Sequence, residues 1–115
     1  MALVVLLCAI SSENLRAAPV LYTVTDLAAL PADTDTYYYD INNSGQVVGT
    51  AAAGGYPHAF LYSNGVTQDL GTFGGTASCA YAVNDSGQVV GFALLSTGAE
   101  HPFLYTGGGQ LVYPQ

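Results

Sequence analysis

A nine-residue stretch of this chain occurs twice, and the duplication limits what the chain can fold into. Ile41-Asn-Asn-Ser-Gly-Gln-Val-Val-Gly49 returns as Val83-Asn-Asp-Ser-Gly-Gln-Val-Val-Gly91, 42 residues later. His58-Ala-Phe-Leu-Tyr62 returns as His101-Pro-Phe-Leu-Tyr105, and Asp26-Leu27 as Asp69-Leu70, each 43 residues later. Similarity at one period marks a unit repeated in space. The wobble of one residue belongs in loops, where insertions are tolerated. A unit of about 42 residues is the length of a four-stranded propeller blade.

The residues inside the unit predict four strands. Tyr37 to Ile41 is aromatic and β-prone, and suits a first strand. Asn42-Asn-Ser-Gly45 is turn chemistry, because Asn and Ser bond their own backbone and Gly supplies positive φ. Gln46 to Ala52 reads as a second strand, ended by Gly54-Gly55, and His58 to Tyr62 as a third. Asn64-Gly65 is a hairpin signal, and Val66 to Leu70 is the fourth strand. The second copy predicts strands over Ala80–Asn84, Gln88–Leu95, His101–Thr106 and Gln110–Pro114. Ahead of both, Leu21 to Leu27 matches a fourth strand whose three predecessors are absent. The only helix-like hint, Leu27 to Leu30, stops at Pro31. The expected fold is all-β: two four-stranded antiparallel propeller-like blades plus one strand of a preceding blade.

Val47-Val48 and Val89-Val90 do not alternate with polar residues. Both faces of those strands therefore want cover, as they have when blades stack. Gly49 and Gly91, next in line, permit close approach of a neighbouring backbone.

Charge excludes several partners. Of 115 residues only 8% are charged, and Arg16 is the one basic side chain against eight acids, for a net charge of −7. Phosphate neutralisation needs Lys and Arg, so most nucleic-acid binding is excluded, and the same charge argues against docking on anionic lipid. Nine Tyr, four Phe and a half-hydrophobic composition argue against disorder.

Ala2 to Ile10 is an apolar run too short to span a bilayer but suited to the core of a secretory signal peptide. Ala17 and Ala18 follow before Pro19, although no basic residue precedes the run and Arg16 stands where a small residue is preferred. Leu7 before Cys8 does not make a lipoprotein box. The expected organisation is a signal peptide over 1–18, a partial repeat and link over 19–36, and repeats over 37–75 and 76–115. Removal of 1–18 leaves Cys79 without a second cysteine, and a small buried hydrophobe is its expected role.

Three ordered motifs resemble the HAF-type extracellular repeat family of bacteria. They are His58-Ala-Phe-Leu-Tyr62, Asp69-Leu-Gly-Thr-Phe-Gly-Gly75 and Ala80-Tyr-Ala-Val-Asn-Asp-Ser-Gly-Gln-Val-Val-Gly91. The likeness covers roughly 21–115. It departs at Pro102, at Phe73, and at Ala28-Ala-Leu-Pro31, where the Gly-rich link would stand. The resemblance implies export, propeller-like repeats and several copies per protein, and implies no particular reaction.

Several positions carry candidate chemistry. Asp40-x-Asn42-x-Ser44-Gly45 resembles the start of a calcium loop, but Ala51 stands where the bidentate carboxylate is needed and Ala82 replaces Asp40 in the second copy. A side-chain-stabilised turn is the expected role. His58 and His101 share a repeat position, and a structural hydrogen bond is expected rather than a metal. A His58 pair with Asp69 or Asp40 would suit acid–base work, but Ser78-Cys79 has no elbow glycines. Asp26 and Asp69 are expected to cap backbone N–H groups in the links. Gly71-Thr-Phe-Gly-Gly75 lacks the Lys and helix of a phosphate cradle. Tyr37-Tyr38-Tyr39 suits packing, with stacking on sugar rings as the alternative.

No catalytic, cofactor-binding or metal residue is assigned. The expected function is a non-catalytic exported repeat module, extracellular or at the cell surface, acting as a binding scaffold. The alternatives are a calcium-assisted or aromatic-lined glycan-binding module and a fragment of an extracellular propeller hydrolase. Two blades cannot close a ring of at least four, so a longer gene product, or self-association with units of the same kind, is expected.

Overall fold

The computed structural model describes residues 18–19, 21–25, 27, 35–108 and 111–112. Eight strands follow one another: β1 (Thr36–Ile41), β2 (Val47–Ala53), β3 (Tyr56–Ser63), β4 (Val66–Gly71), β5 (Gly74–Val83), β6 (Val89–Leu95), β7 (Glu100–Tyr105) and β8 (Leu111–Val112). They form two open four-stranded antiparallel sheets, ordered β1-β2-β3-β4 and β5-β6-β7-β8. The all-β expectation with four strands per unit is met.

Turn residues set the ladders. Ser63 pairs with Val66 around Asn64-Gly65, and both loop residues have positive φ, 51° and 83°. That is the twist a two-residue hairpin needs. At the next level, Asn42 Oδ1 accepts the Ser44 and Gln46 N–H groups at 3.0 and 2.9 Å, and Asn84 Oδ1 does the same for Ser86 and Gln88. The same side-chain chemistry shapes both β1–β2 and β5–β6 connections.

Both first strands carry a bulge at the same place. Pairing runs Tyr38↔Gly49 then Asp40↔Val48 in one sheet, and Ala80↔Gly91 then Ala82↔Val90 in the other. Tyr39 and Tyr81 are the extra residues. A Cβ on Gly49 would strike the Tyr37 carbonyl oxygen, and one on Gly91 the Cys79 carbonyl oxygen. The close backbone approach expected at these glycines is therefore present.

Strand pairing also assigns the faces. Val48 and Leu61 lie opposite one another on one face of the first sheet, here called its front, and Val47, Phe60 and Ala51 lie on its back. In the second sheet Val90 and Leu104 hold the front, and Val89, Phe103 and Ala93 the back. The shared core joins Val48, Leu61 and Leu70 of the first sheet to Val89, Phe103 and Tyr105 of the second. The sheets thus pack front to back, with Phe73 against the margin of the core.

This arrangement qualifies the expectation for the valine pairs. Val47, Val48 and Val89 are buried, but Val90 is 46% exposed. The front of the first sheet is covered by the second sheet, while among the described residues no sheet lies on the front of the second.

Two expectations need correction. The strand expected over Leu21 to Leu27 is not formed at its described residues, and Leu21, Tyr22 and Val24 are exposed. Among the described residues no ladder partner lies beside them, and a segment without one leaves its N–H and C=O groups to water. Secondly, β5 begins at Gly74, well before Ala80 and inside the segment read as a link. Gly74 and Ser78 pair with Leu95 and Ala93, so the crossing segment already belongs to the second sheet. Asp26, Ala28 to Pro31, the apolar run before residue 18, and Gln110, Tyr113 and Pro114 lie outside the described residues.

Candidate functional site

Positions 42 or 43 residues apart meet directly where the sheets join. Asp40 Oδ2 accepts the Val83 N–H at 2.9 Å. Asn42 Nδ2 donates to the Asn84 carbonyl at 2.9 Å. Asp85 accepts from Asn43 twice, from the backbone N–H at 2.9 Å and from Nδ2 at 2.8 Å. These two donors, the backbone one foremost, hold the Asp85 carboxyl below its ordinary value.

The same bonds show what Asp40-x-Asn42-x-Ser44 does within the fold. Asp40 Oδ1 accepts the Ile41 N–H, its Oδ2 is held by Val83, and Asn42 Oδ1 is held by two backbone amides. These oxygens serve as caps of backbone amides. The turn role is the one these residues perform.

His58 and Asp69 are brought together. Nδ1 lies 2.8 Å from Asp69 Oδ2, and Asp69 Oδ1 accepts the Gly71 N–H at 2.7 Å. Asp69 therefore caps the link, as its position implied, and fixes the imidazole at one nitrogen. Ser78 does not complete a relay. It is buried, accepts the Ala59 N–H at 2.8 Å and donates to the Gly71 carbonyl at 2.6 Å. The residue 43 positions after Asp69 is Val112, so His101 cannot meet a carboxylate in the same way. Among the described residues no three of His, Cys, Asp and Glu gather into a metal-binding group.

The feature with most binding character is aromatic. Tyr39 and Tyr81 occupy the two bulges, 49% and 52% exposed, with ring centroids 5.7 Å apart. Phe92 continues the row 5.8 Å beyond Tyr81. Bulges re-aim side chains, and here both put a tyrosine at the seam between sheets. Of the three tyrosines singled out in sequence, all are about half exposed, but Tyr38 packs edge-on against buried Phe60 at 5.6 Å while Tyr39 faces Tyr81. Tyr81 and Phe92 were not singled out. The period finds Tyr81, which stands 42 residues after Tyr39, but not Phe92, whose counterpart is Thr50.

The Tyr81 hydroxyl is pushed above its ordinary value of 10.0, first by partial burial and then by Cys79, Tyr39 and Glu100. Cys79, buried as expected, accepts from the Thr50 hydroxyl at 2.8 Å.

No protein-family model, no curated protein and no solved structure matches this chain at a significant level.

Proposed function

We propose that this protein is a non-catalytic binding scaffold, an exported module of the HAF-type repeat kind whose units form propeller-like blades. The observation that carries the reading is bonding across the two sheets between matched positions, Asn42 to Asn84 and Asn43 to Asp85, with Asp40 bonded to Val83, the residue after its counterpart. Polar side chains that bond their counterparts one period away serve repetition. The carboxylates of Asp40, Asp69 and Asp85 all hold backbone N–H groups, which is structural work.

Export is tested by expressing residues 1–115 in a bacterial host ahead of a reporter enzyme that is active only outside the cytoplasm. Reporter activity, with a mature chain beginning at Pro19 by mass spectrometry, is the expected result. A cytoplasmic product that keeps residues 1–18 overturns the export reading.

A second reading, glycan binding, is favoured by the Tyr39–Tyr81–Phe92 row, because exposed aromatic rings offer flat apolar faces to sugars. Calorimetry against a panel of soluble polysaccharides, with and without calcium, tests it. Heat that disappears in a Tyr39→Ala, Tyr81→Ala double variant supports the reading, and no heat from the wild type retires it.

A further inference from the structure

We infer that the front of the second sheet receives the back of the first sheet of another copy, so that copies of this chain join head to tail. The inference rests on the repeat-module reading and adds to it the faces, the sense and the occupant.

The argument is continuity with the contact already made inside the chain. Val48 on the front of the first sheet is 0% exposed because the second sheet lies on it, whereas its counterpart Val90 is 46% exposed. At the other end, Val83 on the second sheet is 7% exposed and its counterpart Ile41 is 63% exposed. The front of the second sheet is thus left open, and the back of the first is open at its Ile41 margin, whereas Val47, Ala51 and Phe60 on that back are 7, 0 and 1% exposed and must exchange their present cover for the new copy. A cavity of about 240 Å³ is bordered by Ala82, Val83, Val90 and Leu104, and one of about 430 Å³ by Leu27, Ile41, Val47 and Tyr62.

The polar groups at the two ends allow the contact. Inside the chain, Asp40 must cap the Val83 N–H. Between copies, the residue in the place of Asp40 is Ala82, which brings no carboxylate. The amide in the place of Val83 is that of Ile41, already capped by its own Asp40 Oδ1 at 2.9 Å. Closing the contact therefore buries neither a lone carboxylate at position 82 nor an unpaired N–H at position 41, the usual cost of joining apolar faces that carry polar groups.

Part of the N-terminal segment lies against the back of the first sheet, the face that another copy would receive. The Tyr38 hydroxyl donates to the Leu27 carbonyl at 3.2 Å, and Thr23 and Thr25 border the larger cavity. Leu21, Tyr22 and Val24 are 66, 83 and 92% exposed, so these three side chains have little burial to lose when a copy moves them aside. A contact of this sense is heterologous, not twofold. It leads to rings if the rotation closes and to filaments if it does not.

The test uses purified full-length chain and sedimentation velocity across a range of concentration and salt. Val90→Lys blocks the front of the second sheet, and Ile41→Lys blocks the back of the first. Both positions are exposed in the free chain, and circular dichroism reports whether each variant keeps its β-structure. The wild type should form species larger than the 11.8 kDa chain, retained or enlarged at high salt, where the mutual repulsion of chains of net charge −7 is screened. Each folded variant alone should run as a monomer, and a mixture of the two should recover a one-to-one dimer, because each still offers the face the other lacks. A monomeric wild type overturns the inference, as does a folded mixture that stays monomeric. Association abolished by Val90→Lys but untouched by Ile41→Lys overturns it in favour of a front-to-front dimer. None of these outcomes depends on export, so failure here and failure of the export reading are distinguishable.

Discussion

Asp40 and Val83 stand 43 positions apart in the chain, and a carboxylate oxygen of the first holds the backbone N–H of the second at 2.9 Å. The bond ties the first strand of one sheet to the first strand of the other. Removing the acceptor leaves a partly buried amide with no partner, which costs about 1–3 kcal/mol. Asp40→Ala should lower the urea midpoint accordingly, and Asp40→Asn, which keeps one acceptor oxygen, should lower it less. An unchanged midpoint for Asp40→Ala would show that water replaces the cap.

Gly49 and Gly91 each face a carbonyl oxygen that a Cβ would strike. The oxygen belongs to a bulged strand that cannot retreat without breaking its ladder. Gly49→Ala and Gly91→Ala should each destabilise by about 1–3 kcal/mol, the usual cost of overpacking. Gly108, with nothing within 4 Å, is the control, and Gly108→Ala should change stability by no more than about 0.5 kcal/mol. Equal effects at all three sites would remove the steric account of the Val-Val-Gly pattern.

Asp85 titrates below its ordinary value of 3.8 because Asn43 donates two hydrogen bonds to its charged form. A depressed folded value means that the contribution is complete above 3.8 and is lost as the pH falls through the lower folded value. Carbon-detected NMR of the side-chain carboxyl should place its midpoint below 3.8. In Asn43→Ala, which deletes the side-chain donor and keeps the backbone one, the midpoint should rise part of the way back.

Tyr81 has the opposite sign. Its neutral form is favoured in the folded chain, so stability holds up to pH 10.0 and declines as the pH rises from there toward the higher folded value. Tyr81→Phe should flatten that part of the melting-temperature profile. Ultraviolet difference titration should find the last-ionising tyrosine missing from the variant. A titration unchanged by the substitution would place the late ionisation elsewhere.

Much of the fold was legible because the decisive signals were local. Asn64-Gly65 fixes a hairpin wherever it occurs, and Asn42 and Asn84 shape their turns with their own side chains. The failures were non-local. Nothing within Leu21 to Leu27 says whether a partner strand will be there, and the residues that read as a strand meet none. Gly71 to Gly75 looked like a connector because glycines break isolated strands, yet the pairing of Gly74 with Leu95 and of Ser78 with Ala93 draws its end into the sheet. At the candidate site the tyrosine run was visible, but its division was not. The bulge at Tyr39 sets its ring beside Tyr81 while Tyr38 packs onto Phe60, and a bulge is a property of two strands together.

Ser78 gives the molecule its mechanical character. Its hydroxyl holds Ala59 and Gly71 of the first sheet while its backbone runs in the first strand of the second. The two halves are therefore riveted at their crossing, not strung on a tether. Tension applied to the chain ends should meet a single rupture event, with no slack taken up first, and heat should melt both halves in one step.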